Sequence, residues 1–137
     1  MKNFDVKELL ALANGARADS YSPYSEISVG AALLTKSGKI YKGCNIENAS
    51  YSPTICAERV AFFKAVSEGE TEFVAIAIAG GKHDEPSRAD FPPCGVCRQV
   101  MTEFCNSEFR VIWGNDEKIT DKALKEIMPF SFDKNNL

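Results

Sequence analysis

The sequence lacks three features that would each favour a particular class of protein. Its 16 Lys and Arg residues stand against 19 Asp and Glu, and a net charge of −3 argues against a basic surface for polynucleotide phosphates. The longest apolar stretches fall far short of the roughly 20 residues that a membrane-spanning helix requires. The N-terminus mixes acidic and basic residues and lacks the apolar run of a secretory signal. We therefore expect a cytoplasmic protein that binds neither nucleic acid nor membrane.

Histidine is scarce, whereas cysteine is not. The only histidine, His83, lies among glycine, proline and charged residues, and we expect it to be a solvated side chain. Five cysteines are an odd number in a chain without a secretion signal, so they indicate thiols or metal ligands rather than a disulfide framework. They are Cys44, Cys56, Cys94, Cys97 and Cys105.

The apolar pattern predicts one α/β domain over residues 1–137, a three-layer α/β/α fold with a mixed sheet of about five strands. The segment 80–93, rich in glycine and proline, is expected to be a mobile surface loop. The predicted strands are 27–34, 40–45, 73–79 and 109–113. The first predicted helix is 5–18, with Asn3 or Asp5 as its N-cap, and the second is 56–67, with both Phe62 and Phe63 buried. A third predicted helix runs through Val96, Val100 and Phe104, and a fourth is capped by Thr120 or Asp121.

Two cysteine motifs 38 positions apart carry the chemistry. Cys56-Ala57-Glu58 and Pro93-Cys94-Gly95-Val96-Cys97 each begin a predicted helix, whose unpaired N–H groups favour thiolate over thiol. Three thiolates suit tetrahedral zinc and leave a fourth position for water, which is typical of a catalytic site. Glu58 is close enough to move protons, and a zinc centre with such a carboxyl indicates hydrolytic deamination.

Other interpretations of the cysteines remain open at this point. A redox pair at Cys94 and Cys97 would leave the Cys56 motif unexplained. A closed structural zinc site would need a fourth ligand, which Cys44 or Cys105 could supply. A deaminase that edits RNA or DNA would share the centre, but the acidic charge opposes it. Glu58 likewise argues against a zinc-stabilised interaction module without catalysis.

The whole chain resembles the small homotetrameric cytidine deaminases. Residues 54–59 and 93–100 resemble the two zinc motifs of that family, and the likeness extends from the first helix to Phe132. The resemblance implies a cytidine deaminase-like fold, a homotetramer and one Zn²⁺ per subunit. It further implies hydrolytic deamination of cytidine and 2′-deoxycytidine to uridine and 2′-deoxyuridine, a step of pyrimidine salvage.

The same resemblance assigns roles to particular residues. It implies Cys56, Cys94 and Cys97 as metal ligands and Glu58 as the proton shuttle. Hydrogen bonds from Arg59 and Gln99 to the ligand sulfurs are also expected. Asn45 and Glu47 would hold the ribose 3′-hydroxyl, and the N–H of Ala57 would contact the pyrimidine carbonyl. The remaining expected substrate contacts are Ile46, Ile27 and Phe132.

One position departs from the family pattern. Ile27 stands where the family usually has an aromatic residue that packs on the nucleoside. Aliphatic contact there favours an alternative substrate, a modified cytosine nucleoside or a nucleoside antibiotic. The aromatic side chain that the family takes from a neighbouring subunit corresponds best to Phe132, and next best to Phe130.

Overall fold

The computed structural model describes residues 3–137, which form an α/β fold. Short 3₁₀ turns at Arg17–Asp19 and Lys134–Asn136 accompany the regular elements. The helices are α1 (Val6–Ala16), α2 (Ala57–Ser67), α3 (Gly95–Phe104) and α4 (Leu124–Ile127). The strands are β1 (Ile27–Thr35), β2 (Ile40–Cys44), β3 (Phe73–Lys82), β4 (Arg110–Gly114) and β5 (Ile119–Ala123).

The five strands form one mixed sheet in the order β2-β1-β3-β4-β5. Only β3 and β4 run parallel to each other, and the other neighbours are antiparallel. The parallel pair is joined by a crossover that contains α3, as parallel strands require. This sheet confirms the predicted fold class.

Helices cover both faces of the sheet because β3 is apolar on both sides. Ala75, Ala77 and Ala79 face α1 in one core cluster, whereas Ile76 and Ile78 belong to the cluster under α2 and α3. This alternation follows from the two-residue period of a strand. It explains why 73–79 is a continuous apolar run.

Two glycines allow helices to approach the sheet closely. A Cβ atom on Gly30 would lie 1.9 Å from the carbonyl oxygen of Ala13 in α1. A Cβ atom on Gly43 would lie 2.3 Å from the carbonyl oxygen of Ala57, the first residue of α2. Gly43 therefore determines how closely the start of α2 packs on β2.

The start of α1 confirms one predicted cap and excludes the other. The Asp5 carboxylate accepts hydrogen bonds from the backbone N–H groups of Lys7 and Glu8 at 3.0 and 3.2 Å, as an N-cap does.

The predicted cap at Thr120 or Asp121 was wrong, because both residues lie within β5. The Asn115 side chain accepts from the N–H groups of Glu117 and Lys118, and this turn returns the chain antiparallel to β4.

Two further expectations fail in part. Phe62 is fully buried, but Phe63 is 45% exposed, because it lies on the solvent side of α2. The segment predicted as a loop from residue 80 begins inside β3, where Gly80 and Gly81 are buried. Arg17 binds the turn that follows, since its guanidinium donates to the carbonyl oxygens of Lys82 and Glu85 at 2.9 and 3.0 Å.

In the part of the chain from residue 3 onward, no helix is long and apolar enough to cross a membrane.

Candidate metal centre and substrate cleft

Three cysteine sulfurs converge where α2 and α3 begin. Cys56 is the N-cap of α2, Cys94 is the N-cap of α3, and Cys97 lies in the first turn of α3. Their Sγ atoms all lie within 4.8 Å of one another, and those of Cys56 and Cys94 are 3.6 Å apart. Tetrahedral ligands about 2.3 Å from zinc would lie roughly 3.8 Å apart, so the cluster fits a zinc ion.

The cluster has three protein ligands rather than four. Within residues 3–137, Cys56, Cys94 and Cys97 are the one group of three or more His, Cys, Asp or Glu side chains placed to hold a metal ion. Cys44 and Cys105 lie outside it, and burial raises the pKa of both thiols. The closed four-cysteine alternative is therefore contradicted, and an open coordination position is typical of a catalytic centre.

The charges at the cluster favour metal binding. A hydrogen bond with Cys97 lowers the pKa of Cys56, and Arg59 and Cys94 lower it further. The same hydrogen bond, together with burial, raises the pKa of Cys97. The cluster therefore stabilises a thiolate at Cys56, and metal binding releases the protons of the thiols that become ligands.

Glu58 is the second residue of α2 and is only 4% exposed. Burial raises the pKa of this carboxyl to about 7, and the negative charge of Cys56 adds to the effect. A carboxyl with a pKa near neutrality can both take and release a proton. Glu58 thus lies two positions after Cys56 in the chain and has the acidity of a general acid and base.

Arg59 provides positive charge beside the sulfurs. Its Nη2 atom lies 3.5 Å from Cys56 Sγ and donates to it. Its Nε atom is buried and has no hydrogen-bond partner within the described chain. Gln99 is placed differently from the expectation, because its Nε2 donates to the carbonyl oxygen of Phe132 at 2.8 Å.

The segment 45–47 runs beside the chain that leads into Cys56. Ile46 pairs with Ile55 through two backbone hydrogen bonds of 3.0 Å, and it forms a parallel bridge with Tyr21 on the other side. Ile46 therefore lies beside the residue that precedes Cys56, although the segment is distant from Cys94 in sequence. Ala57 follows Cys56 as the first residue of α2, where its N–H has no partner within the helix.

Asn45 is a buried cross-link between three segments. Its Oδ1 accepts hydrogen bonds from Ser20 Oγ at 2.6 Å and from the N–H of Val29 at 2.9 Å. Its Nδ2 donates to the carbonyl oxygen of Ile27 at 2.8 Å. Asn45 thus fixes the start of β1, which includes the expected base contact Ile27.

Glu47 points toward an open cleft. Its Oε1 accepts from the N–H groups of Tyr24 and Ser25 at 3.0 and 3.1 Å, and its Oε2 accepts from the Ser25 hydroxyl. Although burial opposes the effect, these hydrogen bonds lower the pKa of Glu47. The cleft has a volume of about 300 Å³ and is lined by Tyr24, Ser25, Glu47, Asn48, Tyr51 and Thr54.

Sequence reasoning did not identify Ser20 and Ser25 as partners of the expected substrate residues. Nothing in the segment Pro23-Tyr24-Ser25 indicates which carboxylate its donors contact. The two C-terminal phenylalanines lie away from this chain's own cleft lining, with Phe132 61% exposed and Phe130 fully exposed.

An α/β/α sheet that presents three cysteine sulfurs and a buried glutamate at two helix starts is the framework of a zinc-dependent deaminase. The family model of the cytidine and deoxycytidylate deaminase zinc-binding region matches residues 5–113, and the chain belongs to this family. Cys56, Cys94 and Cys97 could hold the family's zinc ion.

Individual relatives agree with this assignment. The chain is 46% identical over 134 residues to a cytidine deaminase from Sporosarcina psychrophila, covering 97% of this chain and 95% of that one. A crystal structure of cytidine deaminase from Burkholderia pseudomallei superimposes with a TM-score of 0.83 at 38% identity, covering 94% of this chain and all of the other. A blasticidin-S deaminase from Bacillus cereus is 33% identical over 142 residues, covering 98% of this chain and all of that one.

Proposed function

We propose that the chain is a zinc-dependent cytidine deaminase that converts cytidine and 2′-deoxycytidine to uridine and 2′-deoxyuridine. Water is the co-substrate and ammonia is the second product. The observation that carries the proposal is the convergence of three cysteine Sγ atoms within 4.8 Å at two helix starts, with Glu58 buried in the first turn of one helix. The relatives named above support the choice of a cytosine nucleoside.

Glu58 transfers the protons in this reaction. When bound, zinc supplies the Lewis acidity that activates water for attack on C4 of the base. The Glu58 carboxylate accepts one proton from that water and passes it to N3 of the ring, and it then takes the second proton of the same water and delivers it to the amino group, which leaves as ammonia. Burial of Glu58 keeps its affinity for the proton intermediate, so both the uptake and the release are accessible near neutral pH.

The residues expected to contact the substrate orient the nucleoside. One amide hydrogen of Asn45 is used on Ile27, which leaves the second to donate to the ribose 3′-hydroxyl. Glu47 Oε2 accepts from the same hydroxyl. The N–H of Ala57 binds the pyrimidine carbonyl, and Ile27 and Ile46 supply aliphatic contacts. These groups direct C4 toward the three sulfurs.

The biological setting follows from the same activity. Hydrolytic deamination of a free nucleoside is a step of pyrimidine salvage, and we place the protein in the cytoplasm as one domain over residues 1–137. We also propose a homotetramer in which Phe132, or otherwise Phe130, completes the site of a neighbouring subunit. Their exposure of 61% and 105% in the single chain supports this arrangement.

Replacement of Glu58 tests the proposal directly. Glu58→Gln keeps the size of the side chain but removes its ability to carry a proton, so we expect turnover of cytidine to fall by at least about 100-fold. Zinc content and the thermal midpoint should stay close to those of the wild type. Ammonia release and metal analysis give both quantities, with the exposed Glu103→Gln of α3 as a matched control. A Glu58→Gln enzyme with full turnover would contradict the mechanism.

A nucleoside antibiotic is the second candidate substrate. Ile27 at the position expected to contact the base and the likeness to the Bacillus cereus blasticidin-S deaminase favour it. Rates with cytidine, 2′-deoxycytidine and a cytosine-containing antibiotic distinguish the two. A kcat/KM at least about 10-fold higher for the antibiotic would replace cytidine as the preferred substrate.

A further inference from the structure

The Ser25 hydroxyl joins Glu47, which lines the cleft, to Ile27, which lies 20 positions earlier in the chain. It donates to Glu47 Oε2 and accepts from the N–H of Ile27 at 3.0 Å. The N–H of Ser25 donates to the other oxygen of the same carboxylate. Ser25 therefore links the carboxylate expected at the sugar to the residue expected at the base.

The backbone around Ser25 is shaped to aim these donors. The N–H of Glu26 donates to the carbonyl oxygen of Ser22 at 3.0 Å, which closes a tight turn. Glu26 has φ 61°, a left-handed conformation that residues other than glycine seldom adopt. Such a conformation persists only where surrounding contacts enforce it, and it is concentrated at functional sites. The turn brings the N–H of Tyr24 to Glu47 as well.

Glu47 is held by neutral donors rather than by a cation. Its hydrogen-bond partners are two backbone N–H groups and one hydroxyl, and no salt bridge to it is found among residues 3–137. These donors keep the carboxylate ionised without neutralising its charge, so it remains a strong acceptor. Ser25 and Glu47 both line the cleft, where an oxygen of Glu47 can accept one more hydrogen bond.

We propose that Ser25 is a positioning residue for nucleoside binding. Its hydroxyl fixes the Glu47 carboxylate so that Oε2 accepts a hydrogen bond from the sugar 3′-hydroxyl, and it keeps that carboxylate in a fixed relation to Ile27. The inference rests on the proposed function. It requires that the Ser25 hydroxyl matters only for substrates that carry the 3′-hydroxyl.

The test compares cytidine with 3′-deoxycytidine in the zinc-loaded enzyme. We expect Ser25→Ala to lower kcat/KM for cytidine about 10-fold, mainly through KM, because the lost bond orients a charged acceptor. The same change should alter kcat/KM for 3′-deoxycytidine less than about 2-fold. Ser25→Thr keeps the hydroxyl and should restore most of the cytidine rate. Ser107→Ala, an exposed serine between α3 and β4, is the control.

The Ser25→Ala substitution in a Glu47→Gln variant distinguishes the loss of the Ser25–Glu47 contact from a folding defect. Glu47→Gln removes the charged acceptor, so adding Ser25→Ala to it should change kcat/KM for cytidine less than about 2-fold. Thermal midpoints and zinc contents identify any variant that fails to fold, and Ser25→Cys, a weaker donor of similar size, then takes the place of Ser25→Ala.

The outcomes that overturn the inference are distinct from those that overturn the function. Equal losses on both substrates would show that Ser25 supports the fold only, and no loss on either would show that its hydroxyl is dispensable. Failure of the wild type to deaminate cytidine would instead contradict the proposed function, before any variant is compared.

Discussion

At the scale of single residues, Arg59 stands out at the metal centre because one of its hydrogen-bond donors is unsatisfied. Its Nη2 donates to Cys56, but its Nε is buried without a partner in the described chain, an arrangement that typically costs about 1–3 kcal/mol. Three thiolates around a divalent ion leave a net charge of −1. A partly buried cation beside them lowers that charge, which explains why the cost is tolerated.

Removal of this cation should affect chemistry more than metal retention. We expect Arg59→Ala to keep zinc near one equivalent per chain and to lower turnover of cytidine by about 10- to 100-fold. Metal analysis combined with steady-state kinetics measures both effects. Arg59→Lys, which keeps the charge but not the fork of donors, should give an intermediate rate. Arg110→Ala removes a remote ion pair with Asp121 and should leave turnover unchanged. Full turnover of Arg59→Ala at full zinc occupancy would contradict this role.

Sequence patterns predicted the ligands but not all of their neighbours. Cys56, Cys94, Cys97 and Glu58 were identifiable because their spacing and residue types carry the chemistry. The partner of Gln99 was not, because the contact of Phe132 with α3 depends on the path of the chain after α4. Ser25 was missed for a similar reason, since its contact with Glu47 depends on the left-handed conformation of Glu26.

At the scale of elements, the start of α2 was predicted within one residue, and α3 contains the three residues Val96, Val100 and Phe104 that predicted it. Each begins directly after a cysteine that ends an extended segment, so the periodic pattern has a clear first member. Strand β5 was missed because Ile119–Ala123 is only partly buried and lacks the apolar run of β3 or β4. The hairpin turn at Asn115 is the signal that could have found it.

The close approach of α2 to β2 gives a prediction about the first ligand. An added methyl group in Gly43→Ala would lie 2.3 Å from the carbonyl oxygen of Ala57 and 2.7 Å from the N of Ala61. We expect the start of α2 to shift, with a loss of about 1–3 kcal/mol in the free energy of unfolding and weaker zinc binding at Cys56. Urea denaturation and competition with a zinc chelator measure the two effects.

The matched control for this variant is Gly15→Ala. Gly15 lies inside α1, and an added Cβ would meet nothing within 4 Å. This substitution should raise the free energy of unfolding by about 0.5–1 kcal/mol, because alanine favours the helix. Equal stability of Gly43→Ala and the wild type would show that α2 is not held by this contact.

At the scale of the whole molecule, the two helical layers have different outer surfaces. Phe63 on α2 and Val96 on α3 are 45% and 57% exposed, whereas no large apolar side chain of α1 is strongly exposed. Contiguous apolar patches on a surface favour association. The proposed homotetramer should therefore assemble through the layer that carries the metal ligands rather than through α1.

Charge substitutions on the two layers test this asymmetry. We expect Phe63→Glu to shift the sedimentation of the protein toward the 15.0 kDa chain and to lower its specific activity, because an interface cannot bury an unpaired carboxylate. Lys7→Glu on the exposed side of α1 should change neither quantity. If the wild type sediments as a single chain with full activity after dilution, the tetramer proposal is wrong.

The separation of the ligands along the chain links catalysis to the integrity of the fold. Cys56 and Cys94 are 38 positions apart, with all of β3 between them. An ion bound by both cysteines therefore cross-links two distant parts of the chain. Its binding free energy adds to the free energy of unfolding. Removal of the ion by a chelator should therefore lower the stability of the fold as well as abolish the activity.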